Sequence, residues 1–103
     1  APRVLVLGDM GEVGARGPAF HREVGAYARE RGLDALVTLG RAAADAAAAF
    51  GAGAHDCGED VERAADLAGA LGGAGAVLVK GSRFMRMERV VERLTLRAPA
   101  GVH

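Results

Sequence analysis

An acidic, glycine-rich segment follows the first apolar run of the sequence and is a candidate ligand-binding loop. Its glycines stand at Gly8, Gly11 and Gly14, a spacing that differs from the G-x-G-x-x-G of dinucleotide-binding proteins. The segment also carries Asp9 and Glu12, whose charges would repel a pyrophosphate and suit sugar hydroxyls, an ammonium group or a metal reached through water. The plainer alternative is a glycine-rich turn with two solvated acids.

A basic segment, Lys-Gly-Ser-Arg, follows a later apolar run and precedes a predicted helix. The backbone N–H groups at a helix start favour an anion, and Lys80 adds a point charge. Arg83 could grip a carboxylate or phosphate through two parallel hydrogen bonds. Ser82 is either part of this anion site or a simple helix cap, and Glu88 stands too far along the chain to complete a capping box with it.

Three further polar residues are candidate ligands. His21 lies near the start of the first predicted helix, where a neutral imidazole is favoured and could donate or accept a hydrogen bond; the alternative is a surface histidine without a role. His55 and Cys57 are two residues apart, which is too few ligands for a zinc site. The sequence therefore predicts no metal site, and it singles out no catalytic base.

Apolar runs that alternate with helical periodicities predict four strand–helix pairs. The predicted strands cover 3–7, 34–39 and 76–79, while 52–57 is either a short third strand or a loop. The predicted helices cover 18–31, 41–50 and 60–71, and a fourth runs from 84 or 85 to 94. Residues 8–17 and 80–83 are predicted loops. Helical spacing assigns packing positions to Tyr27, Met87, Val90, Val91 and Leu94.

This alternation predicts an α/β fold: a Rossmann-like, doubly wound, mostly parallel sheet with helices on both faces. The expected strand order is 3-2-1-4. Ligands of such sheets bind beyond the carboxyl ends of the strands, where the winding reverses, which here is between strands one and four. The acidic and the basic segment should therefore meet there. Residues 3–94 form the single predicted domain, and 95–103 are a tail.

Composition excludes several classes of function. The chain has 103 residues and a formal net charge of zero, with no basic stripe for nucleic acid. No apolar run is long enough for a membrane span, and there is no signal peptide. A single cysteine excludes an internal disulfide and fits a reducing, cytoplasmic compartment. The sequence begins without a methionine, so we expect it to be part of a longer protein.

Three segments together resemble the D-Ala-D-Ala-adding members of the Mur ligase family. Residues 7–14 (Leu-Gly-Asp-Met-Gly-Glu-Val-Gly) are similar to L-G-D-M-x-E-L-G, and 21–25 (His-Arg-Glu-Val-Gly) to H-x-x-V-G. Residues 79–91 are similar to V-K-G-S-R-x-x-x-M-E-x-V-V. The segments occur in the family's order with similar spacing, so the resemblance covers about residues 3–94.

The resemblance implies the C-terminal domain of a three-domain ligase, with an N-terminal UDP-sugar domain and a central ATPase domain elsewhere in the same chain. The family uses ATP and magnesium, held mainly by the central domain, to phosphorylate the carboxylate of a UDP-N-acetylmuramoyl tripeptide. The amine of D-Ala-D-Ala then attacks, phosphate leaves, and a peptidoglycan precursor results. By this resemblance Asp9, with Glu12 and His21, faces the nucleotide, and Lys80, Ser82 and Arg83 face the dipeptide and the transferred phosphate.

Departures from the family pattern keep two alternatives open. Val13 replaces the usual leucine, and Phe84 stands where a small residue is expected, which weakens the assignment of Arg83. The sequence contains no G-x-x-x-x-G-K-[ST] loop, so the chain alone should neither hydrolyse ATP nor form the amide. The alternatives are a free-standing module that binds a small anion or a nucleotide, and the equivalent domain of another Mur-type, folate polyglutamate or cyanophycin-type ligase.

Overall fold

The computed structural model describes residues 2–73, 75–82 and 85–96, except for the side chains of residues 12–14 and 96. In chain order the strands are β1 Arg3–Gly8, β2 Ala35–Leu39, β3 Ala54–Asp56 and β4 Ala76–Lys80. The helices are a 3-10 helix at Gly11–Arg16, α1 Gly17–Glu30, α2 Ala44–Phe50, α3 Val61–Gly72 and α4 Glu88–Leu96.

The four strands form one parallel sheet in the order β3-β2-β1-β4, which confirms the predicted doubly wound α/β fold. In the register of β1 with its neighbours, Leu7 pairs with Thr38 of β2 on one side and with Lys80 of β4 on the other. Because all strands run the same way, the segments that follow β1, β2 and β4 leave the sheet at one edge.

Two apolar cores cover the two faces of the sheet, because successive side chains of a strand point to opposite sides. Val4 and Val6 of β1 pack with α3 and α4, whereas Leu5 and Leu7 pack with α1 and α2. The helices α1 and α2 approach closely at Gly25, where any Cβ would collide with backbone of α2. This close packing explains how an alanine-rich chain with few aromatic residues fills its core.

Some predicted boundaries and packing positions were wrong. A 3-10 helix occupies most of the predicted loop 8–17, and α2 and α4 each begin about three residues later than predicted. Tyr27 is 61% exposed, because small residues of α1 face α2. The Arg31 guanidinium carbon lies 5.9 Å from the centroid of the Tyr27 ring. Val91 is 47% exposed, since the neighbouring Val90 takes the buried position on α4.

The helix α4 continues to Leu96, two residues into the predicted tail. Arg83, Phe84 and the remaining tail residues lie outside the described part of the chain. None of the helices within the described ranges is both long enough and apolar enough to cross a membrane.

Candidate functional site

The acidic and basic segments meet at the carboxyl ends of β1 and β4, as their positions in the sequence predicted. The Ser82 amide donates a hydrogen bond to the Asp9 carbonyl at 3.0 Å. In return, the Gly11 amide donates to the Ser82 hydroxyl oxygen at 2.7 Å. Ser82 is 4% exposed, so this pair of bonds is shielded from water on the serine side. The two segments therefore form one connected unit.

Two glycines and a methionine allow the segments to come this close. A Cβ on Gly81 would lie 3.4 Å from the Gly8 Cα and 2.6 Å from the Met87 Cγ. A Cβ on Gly8 would lie 2.6 Å from the Met87 Sδ. Met87 is buried, as predicted, and its side chain packs against both glycines. The absence of side chains at these two positions thus shapes the floor of the site.

Asp9 is fixed by the beginning of α2. Its Oδ1 accepts a hydrogen bond from the Ala43 amide at 2.7 Å, and a carboxylate in this position complements the helix start. Gly40 follows β2 with φ +101°, and any Cβ there would collide with the Asp9 carboxylate. The sequence pattern alone did not identify Gly40 as a residue of the site. The feature of the sequence that could have identified it is its position directly after a buried strand, at the edge of the sheet where ligands bind.

His21 is a buried histidine rather than a surface one, with only 1% of its surface exposed. Its Nε2 lies 3.0 Å from the Met10 amide, which must donate, so this nitrogen carries no proton. The Nδ1 therefore carries the proton and donates to the Gly17 carbonyl at 2.6 Å. Both ring nitrogens are used within the fold, so His21 ties the acidic segment to the first turn of α1.

An open groove of about 690 Å³ runs along the carboxyl edge of the sheet, beside Asp9. Asp9, Asp56 and Glu59 give the groove carboxylates, and Arg41 and Arg89 give it guanidinium groups. Such a mixed lining suits a neutral, hydroxyl-bearing group better than a polyphosphate. Across residues 2–73, 75–82 and 85–96 no group of three or more histidine, cysteine, aspartate or glutamate side chains could hold a metal ion.

The predicted basic residues fall into different environments. Lys80 is exposed at the end of β4, and no described residue forms a hydrogen bond or an ion pair with its ammonium group. Ser82 is buried in the contact with Asp9 and Gly11 described above. The side chain of Glu12 and all of Arg83 lie outside the described part. The structure thus brings Asp9, Lys80 and Ser82 to one edge of the sheet.

Comparisons with known proteins give a consistent result. Residues 1–83 match the model of a family described as "Mur ligase, glutamate ligase domain". The chain is 38% identical over 93 residues to the UDP-N-acetylmuramoyl-tripeptide--D-alanyl-D-alanine ligase of Escherichia coli, and 34% identical over 103 residues to the ligase of the same name from Synechocystis sp.. These alignments cover 89% and 97% of this chain.

Solved structures agree with the sequence relatives. Two crystal structures of MurF from Acinetobacter baumannii superpose with TM-scores of 0.78 and 0.76 at 27% identity, and they cover 91% and 93% of this chain. The chain spans only 21% and 23% of the two sequence relatives, and 21% and 22% of the two crystallised chains. The similarity therefore concerns one domain of much longer proteins.

Proposed function

The chain belongs to the Mur ligase family, and on that premise we propose that it is the C-terminal domain of an ATP-dependent ligase that joins D-Ala-D-Ala to a UDP-N-acetylmuramoyl tripeptide. Both sequence relatives carry the name of that activity. The reaction would supply a peptidoglycan precursor in the cytoplasm. The central ATPase domain and the N-terminal UDP-sugar domain would belong to the same full-length chain.

The observation that supports this proposal most directly is the bonded contact between the acidic and the basic segment. The bonds from Ser82 to Asp9 and from Gly11 to Ser82 join the segments that carry Asp9 and Lys80 at one edge of the sheet. An acidic group suits the hydroxyls of a nucleotide sugar, and a basic group suits the carboxylate of a dipeptide. A closing domain also excludes water, which would otherwise hydrolyse an acyl phosphate.

Asp9 is the residue that we assign to the nucleotide. Its Oδ1 is held by the Ala43 amide, whereas its Oδ2 accepts no hydrogen bond from the part of the chain that is described. A fixed carboxylate with one available oxygen beside an open groove suits a ribose hydroxyl. Glu12 belongs to the same segment, and His21 contributes by holding the Met10 amide in place.

Lys80 is the residue that we assign to the dipeptide carboxylate and the transferred phosphate. Lys80 is the last residue of β4, so its backbone is held in the sheet while its side chain is exposed. Arg83 is proposed to share this role. Ser82 contributes by fixing the backbone on which Lys80 stands. These groups suit anions, whereas no described cluster suits magnesium, which we therefore assign to the central domain together with the phosphates of ATP.

Phosphate release by the full-length protein tests this function. The reaction contains ATP, magnesium and UDP-muramoyl tripeptide, with D-Ala-D-Ala added or omitted, and is run with the intact protein and with residues 1–103 deleted. We expect release to need both the dipeptide and this domain. Release that ignores D-Ala-D-Ala would indicate another ligase, and release that survives the deletion would indicate a separate binding module.

Lys80→Ala in the intact protein refines the test. Because the Lys80 side chain has no bonded partner among the described residues, this variant should keep its thermal stability and lose most of its dipeptide-dependent phosphate release. Arg22→Ala, which removes an exposed cation on α1, is the matched control and should retain both.

A further inference from the structure

The turn between β4 and α4 contains a backbone conformation that only a few residue types adopt easily. Arg86 has φ +50°, and it is the sole non-glycine residue with a positive φ in the described ranges. This left-handed conformation is unfavourable for a long side chain and persists only where neighbouring contacts enforce it. The turn also explains why α4 begins at Glu88 rather than at 84 or 85.

The contacts to the carbonyls on either side of the Arg86 Cα come from Arg89, whose backbone amide donates to the Arg86 carbonyl at 3.1 Å and whose guanidinium makes two further hydrogen bonds. Its Nη2 donates a hydrogen bond to the Met85 carbonyl at 2.6 Å, and its Nε donates to the Arg86 carbonyl at 3.0 Å. The two acceptors belong to the peptide groups on either side of the Arg86 Cα, so the planar guanidinium holds both peptide groups of the left-handed residue at once. A lysine ammonium carries its three donors on one nitrogen and lacks this planar, forked geometry.

A short chain of hydrogen bonds connects this turn to the proposed site. The Met85 amide donates to the Ser82 carbonyl at 3.0 Å, and the Ser82 amide donates to the Asp9 carbonyl at 3.0 Å. Each link joins backbone groups, so a displaced turn would displace the residues that follow Lys80. The path from the Arg89 guanidinium to the basic segment therefore has one intermediate residue, Met85, because Ser82 itself belongs to that segment.

We propose that Arg89 is a positioning residue that clamps the Arg86 turn and thereby preorganises Lys80 and Ser82 for an anionic ligand. The expected effect on dipeptide binding rests on the proposed ligase function, whereas the hydrogen bonds of Arg89 to the turn do not depend on it. Without the clamp the segment would be ordered only when the ligand binds, and the cost of ordering would appear as weaker binding of the dipeptide.

The first test is amide hydrogen exchange in the full-length protein, read by mass spectrometry on peptides that cover residues 80–86. Arg89→Lys keeps the charge but loses the fork, and it should speed exchange there by about three- to tenfold, the size expected for losing exposed charge-assisted hydrogen bonds. Arg93→Lys is the matched control on the same helix, since Arg93 pairs with Glu62 and Asp66 of α3 and does not touch the turn. Unchanged exchange in Arg89→Lys would overturn the clamp.

The second test separates positioning from direct ligand contact. Arg89→Lys should raise the KM for D-Ala-D-Ala by about three- to tenfold with kcat within about twofold. Arg86→Gly suits φ +50° without a clamp, so adding Arg89→Lys to Arg86→Gly should change KM by less than about twofold. A full loss in that double variant would overturn the positioning role in favour of direct contact through the groove.

The two proposals fail in different ways. If the parent protein shows no turnover that depends on D-Ala-D-Ala, the ligase function fails, and the exchange experiment still decides whether Arg89 clamps the turn. If turnover is normal but exchange is indifferent to Arg89→Lys, the clamp fails and the ligase function stands.

Discussion

The Gly11 amide and the Ser82 hydroxyl oxygen lie 2.7 Å apart, although 71 positions of sequence separate the two residues. This bond joins the segment after β1 to the segment after β4, and the Ser82 amide returns a bond to the Asp9 carbonyl. A single serine therefore supplies both halves of the connection. The integrity of the site should depend on this side chain more than on either glycine-rich segment alone.

Ser82→Ala should lower the free energy of unfolding of the isolated 103-residue chain by about 1–2 kcal/mol, because the Gly11 amide loses its acceptor beside a buried position. Urea denaturation followed by circular dichroism measures the change. Thr95→Ala is the control, since Thr95 donates only to the Val91 carbonyl on the exposed side of α4, and it should change stability by less than about 0.5 kcal/mol. Equal losses in the two variants would contradict a special role for Ser82.

The parallel sheet and the meeting of the two segments followed from the sequence, because apolar runs alternated with helical periodicity. Chain topology then fixed which ends share an edge. The roles of Gly40 and Arg89 did not follow from the sequence. The role of Gly40 depends on its contact with Asp9, which is distant along the chain. The role of Arg89 depends on the positive φ of Arg86, which composition does not encode. His21 was placed near the acidic segment correctly, but its burial was not predicted, since it accompanies ring hydrogen bonds to the Met10 amide and the Gly17 carbonyl that the sequence pattern does not show.

Gly40→Ala should destabilise the isolated chain by about 1–3 kcal/mol more than Gly51→Ala does. Both glycines have positive φ, so both variants bear the backbone strain of a left-handed residue. Only at Gly40 would the new Cβ collide with the Asp9 carboxylate, whereas at Gly51 it would meet nothing within 4 Å. The difference between the two midpoints of denaturation isolates the collision. Equal midpoints would show that Asp9 moves aside without cost.

Cys57 should make the stability of the chain depend on pH at the alkaline end. The pKa of this thiol is raised, chiefly because burial disfavours the thiolate and further because Asp56 and Asp60 are nearby, while Arg63 acts in the opposite direction. The unfolded chain therefore loses the proton first, and the folded state loses stability as pH rises above the ordinary thiol pKa of about 8.5. Below that pH the contribution is fully present.

Urea denaturation at a series of pH values from 7 to about 10 measures this contribution. Cys57→Ala removes the thiol, so its stability should fall less steeply across the alkaline range than that of the unmodified chain. The cysteine is 6% exposed, and slow reaction with a thiol reagent under native conditions should accompany the effect. Parallel pH profiles for the two proteins would show that the thiol titrates equally in both states.

Asp9→Asn separates the structural from the ligand-binding role of this carboxylate. The asparagine Oδ1 can still accept from the Ala43 amide, so the isolated chain should lose less than about 1 kcal/mol, compared with about 1–2 kcal/mol for Asp9→Ala, which leaves that amide unpaired. In the full-length protein both variants should raise the KM for ATP by about tenfold, because the negative charge that we assign to the ribose is gone in each. Steady-state phosphate release at varied ATP concentration measures this. An Asp9→Asn protein with an unchanged KM for ATP would mean that Asp9 serves only to hold the start of α2, and the nucleotide would then have to lie elsewhere along the groove.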